Sequence, residues 1–162
     1  MSNTVDPRVK RFLNDNKQLL ESNNFDELYR KFQYVAAINT PLTEILYQAG
    51  INPLEYMTKV PDFYASGSGI ITEITIPGNI TAIGSHAFEE CISLKNVYIS
   101  KSVTNIKYDA FVRTNDCVFT YNGTKEDFLK IDFYHTSFPG DAIIKCTDTT
   151  ETFKKITENV YI

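Results

Sequence analysis

At 162 residues, 43% hydrophobic and 22% charged, the chain has the make-up of an ordinary folded protein: one compact domain, or a short repeat stack with a helical attachment. The net charge of −4 divides as 7 basic against 8 acidic residues up to Ser66 and 9 against 12 beyond it. Neither part carries the basic footprint that binding phosphates requires, so nucleic acid is not an expected partner. No stretch approaches the ~18 apolar residues of a membrane span, and Met1 to Arg8 lack the apolar run of a secretory leader. The expectation is a cytoplasmic protein with no membrane partner, in which the sequons at Asn79 and Asn122 are incidental.

From Asp6 to about Lys59 the punctuation is helical. Asp6-Pro7 reads as a cap followed by Pro at the first helical position, with Val9, Phe12, Leu13, Leu19 and Leu20 on one stripe. Asn24 caps a second helix in which Phe25, Leu28, Tyr29, Phe32, Val35 and Ala36 keep helical spacing over three turns, and Asp26 and Glu27 suit its dipole. Thr40-Pro41 opens a third, with Leu42, Ile45, Leu46 and Ala49 inward and Gly50 as its stop. A shorter fourth starts at Asn52-Pro53-Leu-Glu55, a cap-x-x-Glu pattern flanked by Ile51 and Tyr56, and ends at Pro61. Residues 1–66 are thus expected to be a helical region that covers the open end of a repeat stack and offers surface to a partner. Ala65-Ser-Gly-Ser-Gly69 reads as a hinge.

Residues 67–162 are written differently. Ile74-Thr-Ile76-Pro-Gly-Asn-Ile80-Thr81-Ala-Ile83-Gly-Ser-His-Ala87-Phe88 is echoed 23 residues later by Val97-Tyr-Ile99-Ser-Lys-Ser-Val103-Thr104-Asn-Ile106-Lys-Tyr-Asp-Ala110-Phe111. Apolar and Thr positions recur while the residues between them change, which is how a solenoid coil is written. Thr72 to Ile76, Lys95 to Ile99 and Cys117 to Tyr121 alternate as one-faced strands, the third reached one residue early, with Ile74/Ile76, Val97/Ile99 and Phe119/Tyr121 inward.

These units, Ile80-Thr-x-Ile-Gly-x-x-Ala-Phe88 followed by Cys91-x-x-Leu94-x-x-Val-x-Ile99, resemble the BspA-like class of leucine-rich repeats. The resemblance covers residues 70 to 148 or so and runs on through Tyr121-Asn-Gly-Thr124, a short helix from Lys125 to Ile131, and Ile143-Ile-Lys-Cys-Thr-Asp148 as a closing strand. Phe128 stands where a Trp is common, Asp148-Thr-Thr replaces an Asp-Gly turn, and Ser100-Lys-Ser102 takes the place of an asparagine ladder. The resemblance implies a recognition scaffold without a common catalytic site or cofactor. It also places Cys91 where a small buried filler is usual.

Candidate chemistry is thin. Cys91, Cys117 and Cys146 are odd in number and widely spaced, which favours buried thiols over disulfides or a zinc site. His86 occupies an outward, variable slot that is Asp109 in the next repeat, and His135 lies in a loop-like stretch. Neither has partners at metal spacing, and no base is in view for a cysteine nucleophile. Gly67-Ser-Gly69 lacks the Lys-Ser/Thr of a phosphate loop.

Recognition has a more definite candidate. If the inward residues are as assigned, Glu73 and Thr75, Asn96 and Tyr98, Val118 and Thr120, and Ile143 and Lys145 line up on the outer face of the strands. Such a face spans only a few hundred Å², by ~4.8 Å between strands and ~3.3 Å per residue, against about 800 Å² per partner in a standard interface. Helices, repeat edges or the tail must add to it; in the tail, Phe153, Ile156, Val160 and Ile162 suit neither period. The reading is an α+β chain: a helical region, then about three coils and a closing strand, binding a protein partner through the repeat face together with the helices. Competing roles are a phage- or mobile-element-borne inhibitor or adaptor, a subunit that self-associates through the solenoid end, and a small Cys/His hydrolase.

Overall fold

The computed structural model describes residues 7–22, 24–32, 34–35, 40–158 and 160. The chain divides into two compact units, Met1–Met57 and Thr58–Ile162.

In the first unit, α1 (Pro7–Asp15) buries Val9 and Phe12 and gives way at Asn16 to the short α2 (Lys17–Glu21), so the expected stripe is split over two helices. The Asn16 side chain donates to the Phe12 carbonyl at 2.9 Å, the local competition by which Asn interrupts helices. The expected cap at Asp6 lies outside the described residues. α3 (Phe25–Lys31) is capped by Asn24, whose side-chain oxygen accepts from Glu27 N, and it buries Phe25, Leu28 and Tyr29. It stops about a turn early. Tyr34–Val35 (β1) pair antiparallel with Thr40–Pro41 (β2), and Ala36 is outside the described residues. A Phe-Gln-Tyr-Val stretch suits a strand as well as a helix, and pairing decides between them. α4 (Leu42–Gln48) follows, burying Leu42, Ile45 and Leu46. Gly50, at φ 72°, ends it as expected: Ile51 N donates to Leu46 O and Gly50 N to Tyr47 O, the paired bonds of a Schellman stop. The fourth element is one 3₁₀ turn, Pro53–Tyr56, capped by Asn52, with Tyr56 stacked on Phe25 at 5.1 Å.

The second unit is a solenoid of four coils, each a two-residue strand, a turn and a longer strand. The short strands β3 (Lys59–Val60), β5 (Ala82–Ile83), β7 (Asn105–Ile106) and β9 (Asp132–Phe133) form one parallel sheet. The long strands β4 (Glu73–Ile76), β6 (Asn96–Ile99), β8 (Val118–Tyr121) and β10 (Ile143–Lys145) form the other, whose far edge is the antiparallel β11 (Thr150–Thr152). Ile74, Ile76, Val97, Ile99, Phe119, Tyr121 and Ile144 point inward, as the alternation requires. β8 comes 22 residues after β6, so the shortened turn beyond Phe111 is present.

Residues 58–66, which the sequence reading places with the helices, are wound into the first coil. Thr81 N donates to Thr58 O, Phe63 N to Ser85 O, Ala65 N to Ala87 O and Gly67 N to Glu89 O. The Ala65–Gly69 stretch is therefore tied along its length to the second coil, with Ser68 buried, and is no free hinge.

The interior is a column of rings set by strand spacing. Phe88 stacks on Phe111 at 5.2 Å, Phe111 on Phe138 at 5.2 Å, and Phe119 meets Phe111 and Phe138 at 4.9 Å each. The connection from β8 to β9 is lengthened by α5 (Lys125–Leu129), held by a capping box between Thr124 and Asp127, and Phe128 fills the core from it. The tail settles both ways: β11 is a strand, and α6 (Phe153–Ile156) buries Phe153 and Ile156. Phe153 packs on Phe138 at 4.9 Å and on Phe133 at 5.6 Å.

Asp127 also receives Lys101 Nζ at 2.9 Å. The lysine, with the backbone and hydroxyl donors of Thr124, holds its carboxyl down at about 2 from an ordinary 3.8. A depressed folded-state value means this contribution to stability is complete above about pH 4 and is lost as pH falls through about 2. Asp127→Ala should flatten that limb of an acid-unfolding profile; an unchanged limb between pH 4 and 2 would assign it to other carboxylates.

Candidate binding face

The register of the long strands places all eight outward residues in two rows. Glu73, Asn96, Val118 and Ile143 are direct neighbours in one, and Thr75, Tyr98, Thr120 and Lys145 in the other. The rows exist because side chains alternate along each strand, while parallel stacking without slippage sets like positions side by side. Val118, Thr120 and Ile143 are half-buried, and Tyr98 is 41% exposed.

The second row borders a concavity. A groove of about 590 Å³ runs across the C-terminal ends of the strands, lined by Thr75, Tyr98, Thr120 and Lys145 together with the residues that follow each strand. Pro77, Ser100, Asn122 and Thr147 form that margin. Reasoning from strand alternation missed them because they stand beyond the alternating run, yet they repeat at the strands' own offsets. Glu73, Asn96, Val118 and Ile143 are not among the groove's lining residues.

The groove presents hydroxyl and amide groups from Thr75, Ser100, Thr120, Asn122 and Thr147, two tyrosines, the half-exposed Tyr98 and the buried Tyr121, and one charged group, Lys145, over an otherwise apolar lining. It is a surface for hydrogen bonding, stacking and capture of a negative charge. Its volume falls in the range of pockets that seat a small molecule or a protruding side chain.

The other candidates settle into structural roles. The three cysteines are buried thiols, none in a disulfide. Cys91 Sγ donates to Ala65 O at 3.1 Å, stitching the first two coils. Burial pushes the Cys117 thiol up to about 12, and burial with Asp148 and Glu151 nearby takes Cys146 to about 11, so both stay protonated at neutral pH, the opposite of an activated nucleophile. His86 Nδ1 lies 2.8 Å from Glu89 Oε2, and its ring is stacked on Phe63. His135 is exposed on the turn after β9. Among the described residues no three His, Cys, Asp or Glu side chains gather as metal ligands, and no helix is long and apolar enough to cross a membrane.

A family model for the BspA-type leucine-rich repeat region matches residues 16–137 and 58–161. The chain belongs to the BspA-type leucine-rich repeat family. No curated protein and no solved structure matches it. The match extends on its N-terminal side across most of the helical unit, well beyond the residues whose wording carries the repeat. Leucine-rich repeats are in general non-catalytic modules that mediate protein interactions, and the BspA-type coils here have the parallel stacking and continuous interior that such a module requires.

Proposed function

We propose that the chain is a non-catalytic protein-recognition module that acts in the cytoplasm without a cofactor. The groove along the C-terminal ends of β4, β6, β8 and β10 seats a protruding part of the partner. Tyr98 is the anchor, since tyrosine is among the residues enriched at interface hot spots and this one is half-exposed at the groove. Lys145 reads an acidic group beside it. The single observation that carries this reading is the convergence of Tyr98, Lys145 and the margin Pro77, Ser100, Asn122 and Thr147 in one groove. Four short strands offer too little area for a stable complex, so the turns and the helices of residues 7–56 supply further contact in this reading.

Capture from lysate with immobilised wild-type chain, compared with a Tyr98→Ala/Lys145→Glu variant, tests the assignment. The proposal expects at least a ten-fold loss of each specifically retained protein, with thermal unfolding unchanged because both side chains are exposed. Equal retention by the two would move recognition away from the groove.

A further inference from the structure

Asn122 is the one asparagine in the chain that a glycine follows. It is exposed just beyond β8 and lines the groove with Lys145 and Thr147. Among the described residues its side-chain amide has no hydrogen-bond partner, and neither has the Gly123 nitrogen next to it. The main chain on either side is held: Asn122 N donates to Ile99 O at 3.0 Å and Thr147 N to Gly123 O at 2.9 Å. A backbone N–H left without a protein partner amid such bonds is uncommon.

Packing fixes the glycine in place. A Cβ at 123 would stand 2.6 Å from Tyr121 Cε1 and 3.3 Å from Asp127 Cβ, and the Tyr121 ring is set edge-on against Phe128 at 5.5 Å. The same missing Cβ leaves the nitrogen open to the side chain before it. An amide carbon and an unengaged nitrogen are thereby held as chain neighbours, close enough to close a five-membered ring without any bimolecular encounter.

We propose that Asn122 and Gly123 form a self-modification site that turns a neutral residue of the groove margin into a carboxylate. The Gly123 nitrogen gives its proton to solvent base and attacks Asn122 Cγ; the N–Cγ bond forms, the Cγ–Nδ2 bond breaks and ammonia leaves. Water then opens the cyclic imide at either carbonyl, giving aspartate or isoaspartate at position 122. One water is consumed for each ammonia released, and nothing is oxidised or reduced. Lys145 is the one charged group in the groove's lining, so the new carboxylate cancels its positive charge. What that does to a partner rests on the recognition role proposed above, but neither measurement below depends on it, so the two ideas fail separately.

The test is storage of the full chain at 37 °C, at pH 6 and at pH 8.5, followed by peptide mapping by mass spectrometry. The proposal expects aspartate and isoaspartate at position 122 ahead of the exposed Asn79 and Asn115. Formation should be at least ten-fold faster at the higher pH, because the attacking nitrogen must lose its proton. Asn122→Gln, which would have to close a six-membered ring, should stay intact over the same period. In NMR spectra, Asn122→Asp should displace the Lys145 and Thr147 side-chain signals from their wild-type positions. The proposal is overturned by an intact Asn122 in the folded chain once the guanidinium-unfolded chain has converted, by earlier conversion at another asparagine, by a rate indifferent to pH, or by undisplaced Lys145 and Thr147 signals.

Discussion

Phe111→Ala should cost about 3–5 kcal/mol, the range for truncating a buried Phe and leaving the cavity behind. Phe111 is 0% exposed and lies between Phe88 and Phe138, each 5.2 Å away, with Phe119 edge-on at 4.9 Å. It is the central plank of a stack in which each coil is supported chiefly by its neighbours, so its loss uncouples the second coil from the fourth. Against a total stability of roughly 5–15 kcal/mol, that is a fifth or more of what holds the fold, and the unfolding midpoint should fall accordingly. Phe111→Leu, which keeps most of the volume, should lose much less. Urea unfolding followed by circular dichroism measures both. The exposed Tyr108→Ala, from the same turn, is the control, expected within about 0.5 kcal/mol of wild type. A Phe111→Ala midpoint no lower than that of Tyr108→Ala would refute the stacked-ring account.

Gly84→Ala should loosen the first coil from the second. A Cβ on Gly84 would stand 2.6 Å from Asp62 N and Oδ1 and 2.7 Å from the Pro61 carbonyl carbon, and most of that is backbone that cannot swing aside. The space is closed because Gly84 N donates to Val60 O at 2.9 Å and Ser85 N to Asp62 Oδ1 at 2.8 Å. Overpacking of this kind costs about 1–3 kcal/mol, and each kcal/mol is roughly 2–4 °C of melting temperature for a chain of this size. Hydrogen exchange localises the effect: the Phe63, Ala65 and Gly84 amides, which bond across these two coils, should lose protection, while the Asn122 amide, bonded to Ile99 O, should not. An unaltered melting temperature with unaltered exchange would mean that the first coil yields freely.

The two positions differ in how they could be found. Phe111 repeats Phe88 at 23 residues inside an obvious echo, so its inward role was legible in the residues. Gly84 falls at the position of Pro61 and Lys107, and nothing in that series reveals that one member needs an empty Cβ. The first coil was hidden for a related reason. Where the later coils have Ala87-Phe88 and Ala110-Phe111, it has Tyr64-Ala65, and Tyr64 meets Phe88 edge-on at 5.8 Å, filling the core from the neighbouring position. The sheet of two-residue strands was hidden because two residues are too few to show alternation. In the helical unit, Asn24, Gly50 and Asn52 marked their ends correctly. The far end of α3 went to a strand pair whose partner lies at Thr40–Pro41, beyond any local signal.

By itself the sequence determined the class of the fold, the family, the inward-facing set and the eight residues that stand opposite it. Alternation within a recurring register leaves each of those side chains only one face to occupy. What only the tertiary structure decided is which outward residues meet. Parallel stacking drew Tyr98 and Lys145 together with Pro77, Ser100, Asn122 and Thr147 into one groove and left Glu73 and Asn96 outside its lining. It also set Phe63, His86, Tyr108 and Tyr134 in contact on the turns. Burial constrains the residues of the core one coil at a time, whereas a surface site is assembled from residues of several coils, whose neighbours exist only once the coils are stacked.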